Sequence, residues 1–312
     1  MGIPNLNKFL TKKCQKSITK HPLGDLKNKT LVIDASIYLY KFAGQNKLIE
    51  NFYAMISLLL FYEIVPIFVF DGKPPKEKKE LIKERRLNKF KAESKYNELQ
   101  EMINDTELSK HEIVEINNEM EKLKTQFIRI KESDVNTVKH LLDLFGVNYY
   151  DAMGEADILC AQIVNNNQAW GCMSEDTDLF VYGCKNVVRY ISITHHNVIN
   201  YHLPSILEEL DMSFDDFRKI MVISGTDYNM NQKTSLAQTL TYYEKYRESG
   251  ESVDFYEWLN ANTSYIYDMN SLNNVMKMFE INGIMQYANQ CKCEKNTNEL
   301  KIFLNSHGFI FL

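Results

Sequence analysis

The sequence is poor both in residues that interrupt a chain and in patterns that staple one. Of 312 residues only 12 are Gly and 6 are Pro, which argues against long disordered linkers. Six cysteines occur without any CxxC pair, and Cys291-Lys292-Cys293 is too tight for a usual zinc half-site. The seven histidines show no metal-ligand spacing. His195-His196 falls at a predicted strand end, where sequence neighbours point to opposite faces, and reads as a surface or turn pair. Long apolar runs are also missing. The longest, Met55 to Phe70, is broken by Glu63 and Pro66 and reads as a buried helix running into a buried strand, not a membrane span. The start, Met1-Gly2-Ile3-Pro4-Asn5, lacks the apolar core of a secretory leader, and Met1-Gly2 alone is a weak case for a lipid anchor. These absences point to a reducing intracellular compartment, cytoplasmic or nuclear, with Cys160 and Cys172 as core thiols.

What is present is a chain long enough to bury a sizeable core, as one large domain or two. Hydrophobic residues make up 45% and charged residues 25%, ordinary values for a globular protein, while 18 Tyr and 17 Phe supply a high aromatic share. The formal charge of −5 argues only weakly against a polyanionic partner, because the charge is unevenly spread. Residues 73–95 hold ten Lys or Arg against four Glu.

Periodicity divides the chain into an α/β part and a helical part. Leu31 to Asp34 and Val65 to Phe70 are continuous apolar strands of the kind buried on both faces of a parallel sheet, separated by helices over 36–43 and 47–63. Residues 76 to about 130 are highly charged and helical in propensity, with sparse apolar positions such as Leu81, Phe90 and Leu99. They read either as a solvated helical hairpin or as an arch over an active site. The α/β pattern then resumes through strands near 147–150, 169–173 and 187–193, and helices dominate from 204 onward, including one over 270–289. The expected fold is α/β: a central, mostly parallel sheet flanked by helices, with the charged helical segment inserted and a helical C-terminal part. The domain expectation is 1–200 for the core with its insertion of about 76–130 and 201–312 for a helical part packed against it.

Acids follow the apolar runs. Asp34 and Asp71 end the first two strands, Asp176 and Asp178 follow the 169–173 strand, Glu155 and Asp157 open a helix, and Asp227 follows Val222-Ile223-Ser224-Gly225. In an open α/β sheet the carboxyl ends of parallel strands meet at one edge, where ligands bind. Acids gathered there repel one another unless cations neutralise them. An isolated Asp after a strand is more often a turn or N-cap residue.

These segments together resemble the flap endonuclease branch of the XPG-type structure-specific nucleases, which implies that the α/β core is a PIN-like nuclease core, that its insertion is a helical arch and that 201–312 is a helical DNA-binding part. Met1-Gly2-Ile3-Pro4-Asn5-Leu6 is similar to that family's opening, Val32-Ile33-Asp34-Ala35-Ser36 to its first acidic motif, and Val69-Phe70-Asp71-Gly72-Lys73-Pro74-Pro75 to its second. Gly154-Glu155-Ala156-Asp157, Ser174-Glu175-Asp176-Thr177-Asp178 and Ser224-Gly225-Thr226-Asp227-Tyr228 resemble the rest, in family order, over about residues 1–230. The resemblance implies two Mg²⁺ ions, with Mn²⁺ able to substitute, roughly 3.5–4 Å apart and clamping the scissile phosphate. Asp34, Asp71, Glu155 and Asp157 would serve one ion, and Asp176, Asp178 and Asp227 the other. Asp157 stands where the family usually has Glu. Lys78 and Arg85, two helical turns apart, take the positions of the family's phosphate-contacting Lys and Arg. Tyr40 takes that of a base-stacking platform. Gly2, Arg86 and Lys89 are further candidate DNA contacts.

Two departures follow. The family's glycine-rich turn, which binds K⁺ and duplex phosphates, is replaced by Asn229-Met230-Asn231-Gln232-Lys233-Thr234-Ser235. K⁺ binding there is doubtful, although Lys233, Thr234 and Ser235 can still meet phosphate at a helix N-terminus. Asn298 to Leu304 and Gly308-Phe309 resemble the last helix and turn, and no sliding-clamp motif is seen. A compact, divergent, monomeric member fits, and a viral source would suit it. The implied activity is Mg²⁺-dependent 5′-flap endonuclease and 5′–3′ exonuclease cleavage of branched DNA in replication, recombination or repair. The alternatives are a DNA-binding scaffold without chemistry and an RNA 5′ exonuclease.

Overall fold

A computed structural model describes residues 2–103, 109–229, 233–281, 287–291 and 294–310. In chain order the elements are α1 (Leu6–Lys13), β1 (Ile18–Pro22), β2 (Thr30–Asp34), α2 (Ala35–Gly44), α3 (Leu48–Phe61), β3 (Val65–Phe70), α4 (Lys79–Ile103), α5 (Lys110–Lys124), α6 (Glu132–Phe145) and β4 (Tyr149–Ala152). Then come α7 (Ala156–Asn165), β5 (Gly171–Met173), α8 (Asp178–Val181), β6 (Asn186–Ser192), β7 (Asn197–His202), α9 (Leu203–Leu210), α10 (Phe214–Ile223) and α11 (Leu236–Ser249). The chain closes with α12 (Phe255–Asn262), α13 (Met269–Met278), β8 (Tyr287–Cys291) and α14 (Thr297–Ser306).

The eight strands form one sheet in the order β1-β7-β6-β5-β2-β3-β4-β8. Its middle is parallel from β6 through β4, and antiparallel strands extend both edges. The sheet is therefore larger than the PIN-like core expected from the sequence. The β6–β7–β1 ribbon widens one side, and β8 returns from the C-terminal part to pair with β4. β1 ends in Pro22 on the outermost edge, where a missing N–H costs no ladder bond.

Alternation along the central strands explains why the sheet is covered on both faces. Val32, Val69, Cys172 and Val187 enter one core with α1, α7, α8 and α10 to α13. Leu31, Ile33, Phe68, Phe70, Met173 and Val188 enter the other with α2, α3, α6 and α14. Successive side chains of a strand point to opposite faces, so an all-apolar strand needs a core on each. Truncating fully buried Phe68 to Ala costs about 3–5 kcal/mol.

The charged insertion forms two long helices, α4 and α5. Ala92 and Leu99 of one meet Met120 and Leu123 of the other in a small core of their own. Ser109 and Glu112 close a reciprocal capping box at the start of α5. The helix expected over 270–289 stops at Met278, and 287–291 is a strand. The sequence places Asn282-Gly283, a helix-breaking pair, between them.

Candidate active site

The chain leaves β2 for β3 on one side and later returns to β5 on the other, so the topology switches direction beside β2. Ligands of open α/β sheets bind in the crevice at such a point. Asp34 closes β2 and caps α2, accepting from the Ser36 N–H at 3.1 Å, while its other oxygen accepts from the Ser174 hydroxyl at 3.1 Å. Asp71 follows β3, accepting from the Ala156 N–H at 2.8 Å and from the Ser36 hydroxyl. Glu155 and Asp157 open α7, where the helix dipole favours negative charge. Asp176 follows β5 and accepts from the Asp178 N–H at 3.0 Å. Asp227 lies in the turn after α10.

Six of these acids line one cavity of about 320 Å³ together with Tyr40, Lys78 and Arg85. The seventh, Asp178, is 1% exposed, and its Oδ1 has no hydrogen-bond partner. Gly2 lies against this group. With φ at +79°, a side chain there would overlap oxygens of Asp176, Thr177 and Asp178, and the next N–H, of Ile3, donates to Thr177 at 2.8 Å.

Crowding of buried negative charge shapes the electrostatics. Burial, with the charges of Asp71 and Asp176, pushes Asp34 up to about 7. Burial and neighbouring carboxylates likewise hold Asp157, Asp176 and Asp178 above the usual carboxylate range. Burial alone would lower the Lys78 pKa, but Glu155, Asp157 and Asp227 outweigh it and keep the ammonium charged. Lys78 donates to Glu155 at 2.5 Å and lies 3.5 Å from Asp227, which also takes Arg85 at 2.9 Å. Among the described residues no three His, Cys, Asp or Glu side chains are placed as a finished metal coordination sphere.

The remaining predicted residues are distributed unevenly. Tyr40 is 43% exposed on α2, with the Lys89 ammonium 4.8 Å from its ring centre. Lys89 also donates to the Ile128 carbonyl at 2.8 Å. Arg86 is exposed on α4 and does not line the acid cavity. Ser235 caps α11 and Lys233 is exposed just before it. The Thr234 hydroxyl is buried with no hydrogen-bond partner. Of the same loop, Met230 to Gln232 lie outside the described residues, as do the side chains of Cys291 and Cys293.

Sequence reasoning missed the polar groups that aim the acids. Ser36 and Ser174 bond to Asp71 and Asp34, and the Tyr228 hydroxyl donates to Glu155. Lys78 sits 4.7 Å from the centre of the Tyr228 ring. Each lies beside an acid in sequence, which was the available signal.

Comparisons with known proteins agree with this geometry. Residues 1–92 match the XPG N-terminal domain and residues 146–227 the XPG I-region. Flap endonuclease 1 of Methanococcus aeolicus is 32% identical over 254 residues, 75% of this chain and 74% of that protein. Flap endonuclease 1 of Cryptosporidium parvum is 30% identical over 259 residues, 73% of this chain but 50% of its own length. Among solved structures, a catalytic core of Rad2 in complex with DNA substrate superposes with a TM-score of 0.66 at 19% identity, covering 99% of this chain and 96% of that one. Flap endonuclease-1 from Methanococcus jannaschii superposes with a TM-score of 0.61 at 25% identity, covering 94% and 91%.

The domain matches and the 32% identity to a flap endonuclease over three quarters of both chains make this chain a structure-specific nuclease. It belongs to the XPG family. The structural matches correct the PIN-like expectation. They span the arch, both sheet edges and the C-terminal helices, so the fold is that of the Rad2 and flap endonuclease cores and not a PIN domain.

Proposed function

We propose that this protein is a Mg²⁺-dependent 5′ nuclease, cutting 5′ flaps endonucleolytically and 5′ ends exonucleolytically on branched DNA during replication, recombination or repair. One observation carries this reading: acids from five separate segments converge with Lys78 and Arg85 on a single cavity at the foot of the α4–α5 arch.

The donor set fits a hard divalent cation. It offers only carboxylate oxygens, it includes the orphaned Oδ1 of Asp178, and its members repel one another while unneutralised. Asp34, Asp71, Glu155 and Asp157 would hold one ion, and Asp176, Asp178 and Asp227 a second, directly or through water. Bound Mg²⁺ would supply an activated water and charge stabilisation for the departing oxygen, and Mn²⁺ would substitute.

The chain's own residues supply the rest. Arg85 and Lys78, both facing the cavity, would exchange part of their pairing with Asp227 for a phosphate oxygen and offset charge as it develops. Tyr40 would stack the base beside the cut. The arch would admit a single-stranded 5′ end, and residues 201–312, with Lys233 to Ser235 at the start of α11, would hold duplex phosphates. The chain would act as a monomer in an intracellular compartment.

The test incubates purified protein with end-labelled 5′-flap DNA and Mg²⁺. Cleavage near the flap junction, leaving a 5′-phosphate and a 3′-hydroxyl, is expected. Intact DNA over a range of salt and metal conditions, or an Asp176→Ala variant as active as the parent, refutes the reading.

A further inference from the structure

A second recess, of about 420 Å³, lies at the foot of the arch. Tyr40, Lys41 and Gln45 of α2 form one wall, Lys89 of α4 another, and Gln126 and Ile128, beyond α5, a third. Tyr40 also lines the acid cavity, so a single aromatic ring separates the two chambers. Their chemistry is opposite. The acid cavity carries six carboxylates, whereas the lining of the recess has none and includes two ammonium groups.

Gly44 and Ile128 meet closely along one wall of the recess. A Cβ on Gly44 would fall 2.6 Å from Cδ1 of Ile128, so the glycine is what lets the arch foot seat on the end of α2. Lys89 spends one donor on the Ile128 carbonyl at 2.8 Å, which leaves two of its three N–H groups. Lys41 pairs with Glu175 at a long 3.9 Å and lies 5.8 Å from the centre of the Tyr38 ring. Gln45 accepts from Asn51 through its carbonyl oxygen at 2.6 Å, which leaves its amide N–H groups as donors. Burial, Arg129 and Arg85 together lower the Lys89 pKa, a sign of crowded positive charge.

The geometry points to this recess as the seat of a terminal 5′-phosphate, carried by the nucleotide on the far side of Tyr40 from the cut. The inference rests on the acid cavity being the cleavage centre. A phosphomonoester carries about −1.5 to −2 charges at pH 7, against one for an internal phosphodiester, and two ammonium groups answer the larger charge. A wall formed where Gly44 meets Ile128 suits a strand that ends there. A long flap must instead turn away into the arch. The recess would thus favour short, 5′-phosphorylated ends and set the balance between exonuclease and flap cleavage.

The experiment compares one-nucleotide 5′ flaps bearing a 5′-phosphate or a 5′-hydroxyl, with a long 5′ flap alongside. The phosphorylated end should be cut with a kcat/KM roughly tenfold higher, the size of one charge-assisted contact. Lys41→Met and Gln126→Ala should each pull that ratio toward one. Equal rates on the two short ends, with the long flap still cut, overturn the inference and leave the cleavage centre standing. A ratio that survives both variants also overturns it, because the phosphate is then read elsewhere. If nothing is cut, the cleavage-centre reading falls. Competition binding of the two short ends in EDTA still reads the preference, and equal affinities refute the recess.

Discussion

The Lys78 ammonium stands 2.5 Å from one oxygen of Glu155, and the Tyr228 hydroxyl donates to the other, so both oxygens of this acid are held from the same side. Lys78 also rests over the Tyr228 ring, which makes three groups mutually fixed. Removing the hydroxyl alone forfeits a hydrogen bond to a charged group, worth about 1.5–3 kcal/mol. Tyr228→Phe should therefore lower the single-turnover rate about tenfold or more and raise the Mg²⁺ concentration needed for half-maximal rate, with flap affinity in Ca²⁺ unchanged. Unaltered Mg²⁺ dependence would remove this positioning role. Lys78→Met should cost more, on the order of 10²-fold in rate, if its charge offsets charge in the transition state as proposed.

Asp178 is buried with an unpartnered oxygen and a raised pKa caused by burial, Asp176 and Asp227. Asp178→Asn removes a charge that the folded, metal-free protein holds at a cost. It should raise stability in EDTA and abolish the gain in Tm on adding Mg²⁺. A variant less stable than the parent in EDTA would contradict this account of the cluster.

The same acids set a pH dependence. Asp34 titrates at about 7 in the fold, and Asp157, Asp176 and Asp178 are also raised. Unfolded carboxyl groups titrate near 4, so between these values the folded state binds more protons than the unfolded state. Stability from Asp34 is complete below about pH 4 and is lost as pH rises through about 7, and the other raised acids act in the same direction. Metal-free protein should melt at falling temperature from pH 5 to pH 8, and the rise on adding Mg²⁺ should be larger at pH 8 than at pH 5, since the cation binds ionised acids. Thermal unfolding at four pH values with and without Mg²⁺ checks this. A Mg²⁺ gain that shrinks as pH rises would refute it.

Gly2 has no room for a side chain beside Asp176, Thr177 and Asp178 and adopts a left-handed backbone. Gly2→Ala should cost roughly 1–2 kcal/mol of backbone strain and displace the second acid pair, lowering flap cleavage at least tenfold. The thermal midpoint, by contrast, should fall only a few degrees. Wild-type activity in this variant would show that the N-terminal segment tolerates displacement without disturbing the acids.

The acids and the central strands were legible because each strand is short, apolar and closed by Asp or another polar residue, and because parallel strands align their carboxyl ends. Cys160 and Cys172 are buried free thiols, as their apolar settings suggested. The edge strands were harder. Ile18 to Pro22 alternates weakly and carries Lys20 and His21, so its strand character comes from pairing with β7 and not from its own pattern. Residues 287–291 likewise depend on β4, a partner more than a hundred residues away in sequence. The Ser and Tyr groups that orient the acids escaped because a hydroxyl beside an Asp in sequence does not reveal which carboxylate it will reach.

Among the described residues the core that α4 and α5 share holds four buried apolar side chains, with Tyr96, Ile103, Ile116 and Phe127 packed against it, and it is separate from the cores on the sheet. A lever stitched so lightly can melt and re-form on its own while the body beneath keeps its shape. Threading a strand then calls for a local loosening of the doorway and leaves the foundations undisturbed.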